Sequence, residues 1–223
     1  MHIYFISGLG ADERVFRRLD LPAEWEKVYL KWIDIEAEDT LESYAAKYIP
    51  FIDTSNKFIL AGLSFGGMIV SELSQVISPE ITFIISSISN KKEMPFLLRF
   101  LKYVPLYRIA PLGSKNKLLA KLKLRFASWH LGAYTPEEKE LISDYIDKAS
   151  PHFLRSAIRI ISNWKNEVRT ERIIQINGDR DNIFPLNNLQ SDYVIKGGGH
   201  FMVFNRAKEI SDIMKEEMGK IGT

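Results

Sequence analysis

The chain has 223 residues, 46% hydrophobic and 26% charged, which is enough for one sizeable buried core. A formal net charge of +2 selects no class of partner, and the absence of cysteine excludes disulfides, a thiol nucleophile and thiolate metal sites. No apolar run reaches the roughly eighteen residues of a membrane span, and the N-terminus lacks a basic leader and cleavage site, so a cytoplasmic protein with no integral membrane segment is expected.

Residues 3–6 are wholly apolar and run into Ser7-Gly8-Leu9-Gly10, the pattern of a central strand followed by a tight loop. Asp12 can cap the next segment, in which Val15, Phe16 and Leu19 form an apolar stripe among Arg14, Arg17 and Arg18 before Pro22 ends it. Residues 28–33 read as a second strand. An acidic loop then leads to a helix with Asp39 as expected cap, Glu42 three residues on, and Leu41, Tyr44, Ala45, Tyr48 and Ile49 as its buried face. The apolar run 58–61 reads as a third strand. Gly62-Leu63-Ser64-Phe65-Gly66 follows it directly, and helical spacing starts at Met68, Ile69 and Leu73. Residues 81–85 make another apolar, β-branched strand. Strand and helix have by then alternated three times, which predicts a parallel sheet wrapped by helices.

The alternation then stops. Between residues 91 and 166 the pattern is helical: 95–107, then 115–129 with Leu118, Leu119, Leu122, Phe126 and Trp129 on one face. A third helix opens at Thr135-Pro136-Glu137-Glu138 and a fourth at Ser150-Pro151, carrying Phe153, Leu154, Ile158, Ile161 and Trp164. Strand signals resume at 172–177 and 192–196, with the loop 178–185 between them, and Gly197-Gly198-Gly199-His200 precedes a terminal helix. The expected fold is α/β: a mostly parallel sheet of about six strands flanked by helices. Its core would comprise residues 1–90 and 167–223, with a helical cap inserted at 91–166.

Loops at the carboxyl ends of parallel strands collect functional groups. Four of them carry chemistry here: Ser7-Gly8-Leu9-Gly10, Ser64, Asp181 and His200. The glycines around Ser64 suit a sharp strand-to-helix turn that projects its hydroxyl, with the Phe65 N–H and the helix dipole facing any negative charge beside it. A hydroxyl nucleophile needs a base, and the base needs an orienting carboxylate.

In the order and setting of these motifs the sequence resembles the α/β-hydrolase superfamily over nearly the whole chain outside the insertion. The resemblance rests on Gly62-Leu63-Ser64-Phe65-Gly66, on the Gly178-x-x-Asp181 loop leading to Pro185, and on a glycine-preceded His200 near the end. It implies Ser64 as nucleophile, His200 as general base and acid, Asp181 as orienting carboxylate, and the backbone N–H groups of Leu9 and Phe65 as oxyanion donors. Ser7 stands where the family often has histidine, which would alter only the bracing of that loop. Asp179 competes with Asp181, but an aspartate in an Asn-Gly-Asp turn usually serves the backbone, which favours Asp181. His2 falls in the first strand, and His130 and His152 fall in the insertion.

Other chemistries fit less well. Gly8-x-Gly10 lacks the third glycine of a dinucleotide site, no phosphate-loop lysine accompanies Ser64, and no cluster has metal-ligand spacing, so no cofactor and no metal are expected. Phe96, Phe100, Tyr103, Trp129, Met202 and Phe204 are expected to line an apolar pocket under the insertion. From 91 to 130 ten basic residues, Lys91, Lys92, Arg99, Lys102, Arg108, Lys115, Lys117, Lys121, Lys123 and Arg125, face one acid, Glu93. They read either as solvated outer faces or as a basic lid attracting an anionic substrate or acidic carrier. Nucleic acid is disfavoured because Phe126 and Trp129 fall on the apolar stripe. The expected activity is hydrolysis of a carboxylic ester or related small acyl substrate. Thioester, amide or carbon–carbon cleavage and a non-catalytic small-ligand receptor are the rivals, and oligomeric state is left open.

Overall fold

The computed structural model describes residues 1–105 and 117–221, without the side chains of residues 117–120 and 123. Six strands, β1 (His2–Ile6), β2 (Glu26–Leu30), β3 (Phe58–Leu63), β4 (Ile81–Ile85), β5 (Ile173–Gly178) and β6 (Tyr193–Ile195), form one sheet. Every neighbouring pair is parallel, in the order β2-β1-β3-β4-β5-β6. The chain leaves β1 towards one edge, crosses back, and builds the rest of the sheet on the other side. The strand order therefore reverses between β1 and β3, and a crevice opens beyond their carboxyl ends.

The wholly apolar strands have cover on both faces, as their lack of alternation predicted. Ile3, Phe5, Ile59, Ala61 and Phe83 point into one core, shared with α7 (Met202–Asn205) and α8 (Ala207–Gly219). Tyr4, Ile6, Leu60 and Ile84 point into the other, shared with α1 (Leu41–Ala46) and α2 (Phe65–Val76).

Between β4 and β5 lie four helices: α3 (Phe96–Phe100), α4 (Lys117–Leu131), α5 (Pro136–Lys148) and α6 (Pro151–Ser162). Thr135 caps α5 as its sequence predicts, accepting from the Glu138 N–H while the Glu138 carboxylate accepts from the Thr135 N–H. Ser150 caps α6. The insertion is tied back to the core through charge: Arg14 binds Asp144, and Arg17 and Arg18 both bind Glu137. Leu131 O accepts from Phe201 N at 2.7 Å, which fastens the end of α4 beside His200.

Four local expectations change. The segment after Asp12 is a single 3₁₀ turn, Glu13–Phe16, capped by Asp12 as expected. The cap of α1 is Thr40, paired with Ser43; Asp39 is buried and accepts from Glu36 N and Lys47 Nζ, so its carboxylate is committed elsewhere. The 95–107 helix is shorter, ending at Phe100 in turns, and its last residues, with Arg108, Lys115 and the start of the 115–129 helix, lie outside the described residues. The fourth change concerns α4. Leu122, Phe126 and Trp129, the expected buried stripe, are 55%, 63% and 65% exposed, while Leu124, Ala127 and Leu131 pack against the core. A fifteen-residue helix rich in both leucine and lysine has two apolar stripes, and packing against α5 selects the one with small Ala127.

Candidate active site

Ser64 occupies the turn between β3 and α2 with φ 52° and ψ −115°, a backbone state that costs a non-glycine residue about 1–3 kcal/mol. The surroundings hold it there. Ser64 N donates to Ile85 O at 2.9 Å, and Ser64 O accepts from the Ser87 hydroxyl at 2.6 Å and from Met68 N at 3.2 Å. The flanking glycines are a steric requirement. A Cβ on Gly62 would lie 2.3 Å from Gly66 O, and one on Gly66 would lie 2.1 Å from Ile6 O. The turn is thus wedged against both its own strand and β1.

From the other end of the chain, the loop after β6 brings His200 to this turn. Its Nε2 lies 2.9 Å from Ser64 Oγ, and its Nδ1 lies 2.8 Å from Asp181 Oδ2. A carboxylate can only accept, so Nδ1 carries the proton and the Nε2 lone pair faces the serine hydroxyl. Asp181 is oriented in turn: its Oδ1 accepts from Ile183 N at 2.7 Å and Phe184 N at 2.9 Å. Both Asp181 and His200 are buried, and the Phe184 ring lies against the imidazole at 5.6 Å. Asp179 takes a different partner, accepting from Gly197 N at 2.6 Å at an exposed position. A hydroxyl aligned on a base that a buried carboxylate orients can give up its proton as it attacks a carbonyl carbon.

Leu9, after β1, and Phe65, at the start of α2, both line the cavity that Ser64 lines. The loop that carries Leu9 is braced by Ser7: its hydroxyl donates to Ala11 O at 2.8 Å, and so does Trp32 Nε1. The Trp32 ring stacks on Phe65 at 5.4 Å. As an N-terminal helix residue, Phe65 also directs its N–H outward along the helix axis.

The cavity over Ser64 holds about 470 Å³. Leu98, Phe126, Leu131, Ile142, Ile146, Leu154, Ile158, Ile183 and Phe184 give it a predominantly apolar wall, in which Ser64, His200 and Tyr145 supply the polar side-chain groups among the described residues. The Tyr145 hydroxyl donates to Asp12 Oδ1 at 3.2 Å. The expected pocket residues are elsewhere. Phe96, Phe100, Tyr103 and Trp129 are 80%, 40%, 77% and 65% exposed, and Met202 and Phe204 are buried in the core beneath the sheet. Leu98, Phe126 and Phe201 line the cavity instead. Ser87 is the supporting residue that sequence reasoning missed. Its only sequence signal is a Ser86-Ser87 pair at the end of β4.

No protein-family model matches the sequence, and no curated protein does. Solved structures do match in three dimensions. An esterase from Thermogutta terrifontis superposes with a TM-score of 0.75 at 15% identity, over 100% of this chain and 91% of the other. MenH from S. aureus gives 0.73 at 13% identity, over 99% and 94%. A structure from a study of carboxylesterases of the thaumarchaeon Nitrososphaera gargenis gives 0.73 at 14%, over 98% and 89%. Likeness at such identities speaks for architecture, and together with the parallel sheet and the Ser64 turn it establishes that this chain has the α/β-hydrolase fold.

Proposed function

We propose that the chain is a serine hydrolase that cleaves carboxylic esters carrying an apolar acyl group. The observation that carries this reading is the unbroken hydrogen-bonded chain from Ser64 Oγ through His200 to Asp181 at the wall of an apolar cavity. Ser64 Oγ attacks the ester carbonyl carbon as His200 Nε2 takes its proton, and Asp181 steadies the imidazolium that forms. The carbonyl oxygen becomes an oxyanion, held by the backbone N–H groups of Leu9 and Phe65. His200 then protonates the leaving alkoxide, and an acyl-enzyme remains on Ser64. Water, deprotonated by His200 in the same position, attacks that acyl carbon, releasing the acid and restoring Ser64.

Residues 91–166 serve as the cap in this reading, since α3, α4, α5 and α6 all supply cavity wall. The wall favours a neutral acyl chain over an anionic one. None of its described residues is lysine or arginine, whereas Lys102, Lys121 and Arg125 are exposed on the outer side. The experiment is reaction with a fluorophosphonate probe, together with hydrolysis of p-nitrophenyl esters of increasing chain length, by the wild type and Ser64→Ala. The expected outcome is probe labelling and ester turnover in the wild type, both lost in the variant. A wild type that is unlabelled and no faster than Ser64→Ala would overturn the reading in favour of a non-catalytic receptor.

A further inference from the structure

We infer that the outer face of α3 and α4 docks on an anionic lipid surface. On α4 the exposed Leu122, Phe126 and Trp129 stand four and then three residues apart, which aligns them on a single stripe of the helix. Phe96, Leu97 and Tyr103 are likewise exposed on α3 and the turn after it, at 80%, 68% and 77%. Two side chains join this face to the interior: Leu98 of α3 and Phe126 of α4 both line the cavity over Ser64. So many large apolar groups on two elements that line one cavity exceed the scattered exposure that a soluble surface normally carries.

Charge decides what covers them. Arg125 precedes the exposed aromatic Phe126, and Lys121 lies within about 100° of the α4 stripe, whereas Lys102 lines a separate cleft with Glu38, Asp39 and Glu42. The only acid from 91 to 130, Glu93, is buried and accepts from Ser89 N at 2.7 Å and Gln190 N at 2.6 Å, so it does not offset them. A second copy of the chain paired face to face would bring these cations against their own equivalents. A nucleic acid would use the aromatic planes but would leave Leu97 and Leu122 against a charged backbone. Aromatics, leucines and cations together match the interfacial zone of a bilayer, with apolar side chains in the acyl boundary and the lysine and arginine heads among anionic phosphates. Among the described residues no helix is long and apolar enough to cross a membrane, so the contact is with the surface.

Docking does not depend on Ser64, which permits a test separate from catalysis. Ser64→Ala protein, unable to turn over lipid in the proposed mechanism, is mixed with phosphatidylcholine vesicles with and without phosphatidylglycerol, at low and high salt. Binding is read by co-sedimentation and by tryptophan fluorescence, to which Trp129 contributes the most exposed indole; Trp25 and Trp164 are buried. The expected result is partition that requires phosphatidylglycerol, weakens with salt and shifts the emission to the blue. Removing either Lys121 or Arg125 should weaken it by about fivefold, and the double alanine variant by about twenty-fivefold. Leu122→Ser with Trp129→Ser should abolish partition while circular dichroism stays unchanged, and Trp129→Phe should keep partition and lose the spectral shift. Equal binding to both vesicle types, or no loss in either variant set, would overturn the inference. So would a dimer at this face, dissociated by Trp129→Ser in sedimentation velocity, or tighter binding to a single-stranded oligonucleotide than to the anionic vesicles.

Discussion

At the scale of single residues, two aspartates two positions apart do different work. Asp181 orients His200 with one oxygen while two backbone N–H groups hold the other, and Asp179 fastens the loop by accepting from Gly197 N. In the proposed mechanism Asp181→Asn offers an amide that can present N–H to Nδ1, which turns the imidazole to the wrong tautomer. We expect kcat to fall by about 10³- to 10⁴-fold with KM little changed. Asp179→Asn keeps an acceptor for Gly197 and should retain most activity, so steady-state kinetics of the two variants separate orienting the histidine from shaping the loop. A loss of equal size in both would remove Asp181 from its special role. The strained Ser64 backbone belongs to this scale as well. Its cost is met by Ile85 and Ser87, residues that no motif around the serine names.

At the scale of elements, α2 contains a carboxylic acid that the site does not use. Glu72 is buried and accepts from Trp164 Nε1 at 2.7 Å, a contact that packs α2 on the second residue after α6. Burial, only partly offset by that hydrogen bond, raises its pKa above the ordinary 4.5. A raised carboxyl binds its proton more tightly in the folded chain than in the unfolded one. The stability it brings is therefore present below the unfolded pKa and lost as pH rises through the folded value. Glu72→Gln retains the acceptor and removes the buried charge. Its Tm should exceed wild type at neutral pH, and the difference should vanish as pH falls below about 4.5 in a series of thermal melts. The insertion packs Leu141, Ile142, Ile160 and Ile161 into the two cores and adds polar ties at its edges. Arg14 of the 3₁₀ turn and Arg17 and Arg18 just after it meet the acids of α5, Arg18 also lies over the Phe204 ring at 4.0 Å, and the end of α4 is bonded to the loop of His200.

For the whole molecule, the sheet order and the insertion together define the proposed reaction space. The reversal between β1 and β3 brings the loops of Leu9 and Ser64 to one cavity, to which the four helices between β4 and β5 contribute aliphatic side chains. If that roof measures the acyl chain, filling it should shorten the preferred substrate. Ala127 of α4 faces the cavity, and Ala127→Phe is expected to lower kcat/KM for a long-chain ester by tenfold or more, in line with about 1–3 kcal/mol of overpacking, while sparing the acetate ester. A uniform loss across chain lengths would point to damage at Ser64 instead.

The sequence alone determined what rests on local patterns. Uninterrupted apolar runs predicted the buried parallel strands, Thr135-Pro136 and Ser150-Pro151 predicted the helix starts, and the glycine-serine turn, the acid loop and the glycine-led histidine predicted the residues that meet. These features are legible because each is written in consecutive residues whose backbone chemistry admits few alternatives. Tertiary structure decided matters that depend on how one element rolls against another. α4 carries apolar side chains on more than one face, and periodicity cannot say which face packs inward. Only contact with α5 and the core turned Ala127 and Leu131 in and Leu122 and Trp129 out. Trp129 missed the cavity for that reason, and the same rotation left an apolar, basic face of α4 towards solvent.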